Sequence, residues 1–135
     1  MADIKIKPGM TTTVRKEVSA MDAYSTITGP LEFLLSTPAI MTMVIEASTK
    51  MLDSELSDDL ITVGKHIDLF HLKPTLVGEG ISITLTVKSL EKDVVLMEVV
   101  VNDRVGTVAR GIYERAIVSR NKLMDTAYAR SEAQV

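Results

Sequence analysis

STPAIMTMVIEAS, residues 36–48, carries the pattern from which the architecture follows. Thr37 is a preferred N-cap residue, and Pro38 follows at the first helical position, where its missing N–H leaves no bond unmade. The stretch therefore opens a helix that should run from Ala39 to about Leu52. Ile40, Met41, Met43, Val44, Ile45 and Ala47 cover most of the helical circumference, the pattern of a helix buried nearly all round. Polarity rises only at Ser48, Thr49, Lys50 and Asp53, so the amino-terminal half should lie deepest. Glu46 stands at the transition, where the apolar pattern calls for a core residue. An unpartnered carboxylate is expensive near a core, so its presence there points to chemistry.

Upstream, Thr11 to Ala20 carries Thr12, Thr13, Val14 and Val18 and reads as a strand. Met21 to Ser36 reads as a mobile loop with Ser25, Thr26, Gly29 and Pro30, and its Leu31, Phe33, Leu34 and Leu35 form an apolar turn able to cap a pocket. Downstream, after the acidic loop Asp53 to Asp59, Ile61, Val63, Ile67, Leu69 and His71 share one parity. If no bulge intervenes, His71 faces the core and His66 faces away. Ile81 to Lys88 alternates without a break, as a strand with one wet face does. Val94 to Val101 is apolar on both faces apart from Glu98, and Asn102 and Asp103 offer a turn into Arg104 to Val118.

One strand, one long helix and four further strands predict an α+β domain, an antiparallel sheet of about five strands wrapped around one central helix. One helix cannot cover both faces and edges of such a sheet, and the two-sided strand Val94 to Val101 needs a cover, which predicts a homodimer or a higher homo-oligomer. The 135 residues fit one domain, 1–135, with a core of about 12–118 and a polar C-terminal tail at 119–135.

Hydrophobic residues make up 46% and charged residues 24%, which excludes a disordered chain. The net charge of −3 and scattered Lys and Arg give no basic face for a phosphate backbone, so nucleic acid is not an expected partner. No window approaches the ~18 apolar residues of a membrane span, and Met1 to Met10 alternates Lys with Ile, unlike a signal peptide, which points to a cytoplasmic protein. With no cysteine, thiol nucleophiles and cysteine-held metal centres are excluded. Oxygen and imidazole chemistry remains. His66 and Asp68 lack a third ligand nearby, so no metal site is expected.

The order of elements, the stretch STPAIMTMVIEAS with Glu46, the segment VGKHIDLFHLKPTLVG (residues 63–78) with Gly64 and His71, and the terminal GIYERAIV (residues 111–118) with Arg115 together resemble the hotdog-fold thioesterases, in their fluoroacetyl-CoA thioesterase-like branch. The likeness spans about Thr12 to Val118. It implies a hydrolase of a small acyl-CoA thioester, with Thr37, Glu46 and His71 as the catalytic group. It also implies Gly64 as a backbone donor to the thioester carbonyl, Arg115 near the ligand, and no cofactor beyond the CoA of the substrate. Counted back from Glu46, the family's hydroxyl position falls on Pro38 rather than Thr37, and the family's usual His in the last motif is Tyr113 here.

Thioester hydrolysis needs a nucleophile, a base for its proton and donors for the developing oxyanion. His71 can take a proton from water or from the Thr37 hydroxyl near neutral pH. Glu46 can orient the imidazole, activate water or attack the carbonyl itself. Each residue has a plainer reading: Glu46 as a surface partner of Lys50, His71 as a structural imidazole at a strand end, Thr37 as a helix cap, and Arg115 as a strand-edge charge paired with Glu114 or Asp103. A non-catalytic acyl-CoA or small-ligand binding protein is the alternative function. A hydratase, needing an acid and a base over the carbon chain, ranks behind both.

Overall fold

The computed structural model describes residues 4–24 and 31–134. In chain order the elements are β1 (Thr11–Glu17), a 3-10 turn at Ala20–Asp22, α1 (Thr37–Asp53), β2 (Leu60–His71), β3 (Gly80–Glu91), β4 (Val94–Asp103), β5 (Thr107–Ser119) and α2 (Arg120–Glu132). All strand pairings are antiparallel, and the sheet order is β1-β3-β4-β5-β2. This is the α+β arrangement expected, five strands against one central helix. The mobility expected of Met21 to Ser36 concerns residues 25–30, which lie outside the described residues; their flanks are tied together by the Ala23–Leu35 bridge.

The core forms where α1 meets the sheet. Ile81, Ile83, Leu85 and Val87 of β3 and Val95, Met97, Val99 and Val101 of β4 point to it at alternate positions and are all almost fully buried. From α1 come Ile40, Met43, Val44, Ala47, Ser48 and Leu52. They follow the spacing of one helical stripe, so α1 is buried along a single face rather than nearly all round, as the sequence suggested. Ile45 is 41% exposed, and Glu46 is exposed as well, not set in the core.

The helix start also differs from expectation. Ser36 is the N-cap: its Oγ accepts the Ala39 N–H at 3.1 Å, and Thr37 and Pro38 are the first two helical residues. Ser36 and Thr37 are both capping types, and the choice falls to the residue whose backbone is held extended. Its N–H donates to the Asp22 carbonyl at 2.9 Å, while Leu35 before it donates to Thr75 at 2.8 Å. The Thr37 hydroxyl is thereby left for other work.

β2 contains a bulge. Gly64 lies opposite Arg115 and His66 opposite Glu114, so Lys65 has no partner in β5. A one-residue insertion inverts parity, so the Ile61 and Val63 positions do not share a face with Ile67, Leu69 and His71. Instead Thr62 and Gly64 before the bulge, and Ile67, Leu69 and His71 after it, lie across from Ile117, Arg115, Tyr113, Gly111 and Ala109, on the helix side of the sheet. Residues 120–132 of the polar tail form α2, capped by Ser119 and exposed along its whole length. No helix among the described residues is long and apolar enough to cross a membrane.

Candidate active site

Thr37 and His71 meet. The amino-terminal turn of α1 lies against the end of β2, and the Thr37 Oγ1 is 2.8 Å from His71 Nδ1. His71 is half-buried, yet among the described residues its Nε2 is enclosed without a hydrogen-bond partner. Burial pushes the imidazole below its ordinary value of 6.5, with the backbone at Lys73 working in part against it. A neutral ring that touches a hydroxyl is the arrangement a general base requires. If Nδ1 accepts the Thr37 proton, Nε2 carries hydrogen and calls for an acceptor.

The ring lines a cavity of about 210 Å³ with Tyr24, Leu31, Leu34, Leu35, Leu72, Lys73 and Pro74. Three of the four apolar residues expected to cap a pocket therefore do border one, whereas Phe33 is 62% exposed. Tyr24 was not foreseen. Its backbone N–H donates to Leu34 at 3.1 Å, and its hydroxyl stands 3.5 Å from Thr37 Oγ1. Nothing in its local sequence, inside the stretch read as a loop, marked it.

Glu46 is elsewhere. It sits nine positions after Thr37 on α1, which is about two and a half turns and about 13 Å along the axis, so the two side chains leave opposite sides of the helix. Within one protomer the carboxylate cannot reach the imidazole. It lines a separate cavity of about 500 Å³ between α1 and the β1–β3 side of the sheet. The ion pairs among the described residues are Lys16–Asp22 and Arg104–Glu79, so the surface pair with Lys50 is not formed.

Gly64 and Arg115 belong to a third cluster. Seven positions along β2 separate Gly64 from His71, about 20 Å of extended chain. Arg115 is 4% exposed, not a strand-edge charge, and pairs with neither Glu114 nor Asp103. Its Nε donates to Thr62 Oγ1 and its Nη2 to the Thr62 carbonyl, both at 2.7 Å, and its Nη1 donates to the Tyr113 hydroxyl at 2.9 Å. Thr62 Oγ1 in turn donates to Asp53 Oδ1 at 2.5 Å, so a hydroxyl relays the guanidinium to a carboxylate. Gly64 has a packing reason to be glycine, because a Cβ there would stand 2.7 Å from the Tyr113 hydroxyl oxygen. Asp53 and Thr62 escaped the sequence reading because their partnership depends on the bulge. Among the described residues no group of three His, Asp or Glu side chains could hold a metal ion.

A family model described as fluoroacetyl-CoA-specific thioesterase matches residues 8–121. The chain belongs to this family. Among solved structures, it is similar to a hot-dog-like protein from Thermanaerovibrio acidaminovorans, at 27% identity over 94% of each chain with a TM-score of 0.89. The fluoroacetyl-CoA thioesterase FlK matches at 20% identity over 96% of this chain and 98% of its own, with a TM-score of 0.81. A thioesterase superfamily member from Thermus thermophilus matches at 19% identity over 99% and 100%, with a TM-score of 0.83. No curated protein matches the chain. Membership of the fluoroacetyl-CoA-specific thioesterase family agrees with the hotdog fold and with thioesterase chemistry in general.

Proposed function

We propose that the chain is a cytoplasmic homodimeric hydrolase of acyl-CoA thioesters whose active site is completed only when two protomers meet. The observation that carries the reading is the 2.8 Å contact between Thr37 Oγ1 and His71 Nδ1, beside an enclosed Nε2 that lacks an acceptor. Glu46, half a turn from Thr37 on the β1–β3 flank of α1, is left out of this pair.

A second copy completes the site through β2. β2 is an edge strand of 12 residues carrying Ile67, Leu69 and Phe70, whereas the other edge, β1, is 7 residues long and ends in Arg15, Lys16 and Glu17. A long apolar edge invites strand pairing, and a short charged one resists it. Antiparallel pairing of β2 with its copy about a two-fold axis near Ile67 and Asp68 would bring the partner's Gly64 beside His71 and run the partner's helix alongside α1.

In this reading His71 takes the proton from the Thr37 hydroxyl, or from a water in its place, as the oxygen attacks the thioester carbonyl. His71 then activates the water of the second step. The partner's Gly64 N–H and the positive end of α1 stabilise the oxyanion, and the buried Arg115, through Tyr113 and Thr62, keeps the backbone at Gly64 in place. The thiolate of CoA leaves, and water releases the acid. FlK has been solved with fluoroacetate and CoA bound, which supports a CoA ester as the substrate class.

The experiment is release of free CoA from a panel of acyl-CoA esters by the wild type and His71→Ala. Hydrolysis that falls by about two orders of magnitude or more in the variant supports the reading. Binding of the esters without thiol release by the wild type would favour the acyl-CoA-binding alternative instead.

A further inference from the structure

We infer that Tyr24 is a positioning residue of the Thr37–His71 pair: its phenol donates to Thr37 Oγ1, so that the Thr37 hydroxyl turns its own proton to His71 Nδ1. The inference rests on the thioesterase reading and adds to it the group that sets the direction of the first proton transfer. The phenol oxygen stands 3.5 Å from Thr37 Oγ1, and the same Oγ1 is 2.8 Å from Nδ1, so the three groups form one chain of phenol, hydroxyl and imidazole. The backbone that carries Tyr24 is tied to the start of α1. The Tyr24 N–H donates to the Leu34 carbonyl at 3.1 Å and the Ser36 N–H to the Asp22 carbonyl at 2.9 Å, on either side of the Ala23–Leu35 bridge. Ser36 caps the helix on which Thr37 is the first residue, so one short ladder sets the phenol and the hydroxyl relative to each other.

Protons in such a chain can run either way, and only one way serves catalysis. If Thr37 donates to Nδ1, the ring carries its hydrogen on Nε2 and Nδ1 is a base; if Nδ1–H donates to Thr37, no bare nitrogen faces the nucleophile. Nε2 does not decide between the two, because among the described residues it is enclosed without a partner in either form. The decision falls to the far end of the chain. A phenol is a stronger acid than an aliphatic hydroxyl, and an imidazole nitrogen is a better acceptor than a phenol oxygen. The run from Tyr24 to Thr37 to His71 therefore puts each proton between the better donor and the better acceptor. At 3.5 Å the phenol contact is longer than an ideal hydroxyl pair, as catalytic hydrogen bonds often are before substrate enters. The phenol keeps its proton throughout. The Thr37 proton passes to Nδ1 as Oγ1 bonds to the carbonyl carbon, and from there to the departing sulfur as the carbon–sulfur bond breaks.

The test is Tyr24→Phe, which keeps the ring and removes only the oxygen, with its melting temperature showing that it folds. On the acyl-CoA ester that the wild type hydrolyses fastest, kcat should fall by up to about tenfold with KM unchanged, the loss expected of one neutral hydrogen bond. In the Thr37→Ala background the same change should cost nothing further, because a group that acts through Thr37 has nothing left to act on. The second readout needs no turnover. Ring-nitrogen NMR of His71 at a pH where the ring is neutral, with His66 identified by its persistence in His71→Gln, should show the Nε2–H form in the wild type and a shift toward the Nδ1–H form in Tyr24→Phe. An unchanged kcat, a loss repeated in the Thr37→Ala background, or a tautomer unmoved by Tyr24→Phe would each overturn the inference, and a wild type that still releases CoA would then leave the hydrolysis reading in place. A shifted tautomer with no ester turned over by the wild type would keep Tyr24 in its role on Thr37 and remove hydrolysis.

Discussion

At the scale of single residues the decisive exchange is between Ser36 and Thr37. Because Ser36 caps α1, Ser36→Ala should lower stability by about 1 kcal/mol in chemical denaturation. Thr37→Ala should leave stability nearly unchanged and cut hydrolysis about 100-fold or more if the hydroxyl attacks. A stability loss at Thr37 equal to that at Ser36, with full activity, would return Thr37 to a structural role. His71 gives a second prediction. Its folded-state value is depressed by burial, so between that value and about 6.5 the unfolded chain binds more protons than the folded one. Stability should therefore fall as pH drops through this window, a dependence reduced in His71→Gln, and kcat/KM should rise with pH to a plateau whose midpoint lies below 6.5. A midpoint above 6.5 would contradict the buried neutral base. His71 was legible in the sequence, since a His closing an apolar strand stands out against its neighbours, whereas Glu46 stood out for a buried position it does not occupy. The cap was not, because two adjacent capping residues are separated only by the contacts Asp22 and Thr75 make with the backbone before the helix.

At the scale of elements, the β2 bulge turns a strand of one parity into two half-strands that serve two clusters. Thr62 and Gly64 join Arg115, Tyr113 and Asp53, while His71 joins α1. Tyr113→Phe removes the acceptor of a buried guanidinium N–H and should destabilise by about 1–3 kcal/mol. Gly64→Ala brings a methyl against the Tyr113 oxygen and should destabilise by about 1–3 kcal/mol through overpacking. With the oxygen gone the methyl fits, so the double variant should lose less than the sum of the two, measured as a double-mutant cycle. Strict additivity would show that the hydroxyl does not fill the space at Gly64. The sequence made the alternating β3 plain, because Ile81, Ile83, Leu85 and Val87 all turn to the core. It left the bulge hidden, because Lys65 is a polar residue among Gly64, Lys65 and His66, where alternation has no contrast to lose. The polar composition of residues 120–132 likewise concealed α2, which buries no face that a pattern could announce.

At the scale of the whole molecule, the proposed pair would bring together two clusters that one protomer holds apart, Thr37 with His71 and Gly64 with Arg115, while Glu46 and its cavity stay on the β1–β3 flank of α1. The family's hydroxyl position, counted from Glu46, falls on Pro38, yet it is Thr37 that touches the imidazole. Spacing along a helix fixes which face a residue takes, and the contact made at the helix start depends on the chain that enters it. The sequence led to the expectation of a second copy through the two-sided apolar strand and the sheet edges; what that copy would bring to the site follows only from the seven positions of β2 that separate Gly64 from His71. The most direct test is complementation between two inactive variants. Gly64→Pro, which lacks the backbone N–H, and His71→Ala are each expected to lose hydrolysis. When they are mixed in equal amounts, unfolded and refolded together, random pairing about a two-fold axis should restore about a quarter of wild-type activity, one intact site in each mixed dimer. A mixture as inactive as its components, with mixed dimers present, would contradict a site shared between protomers.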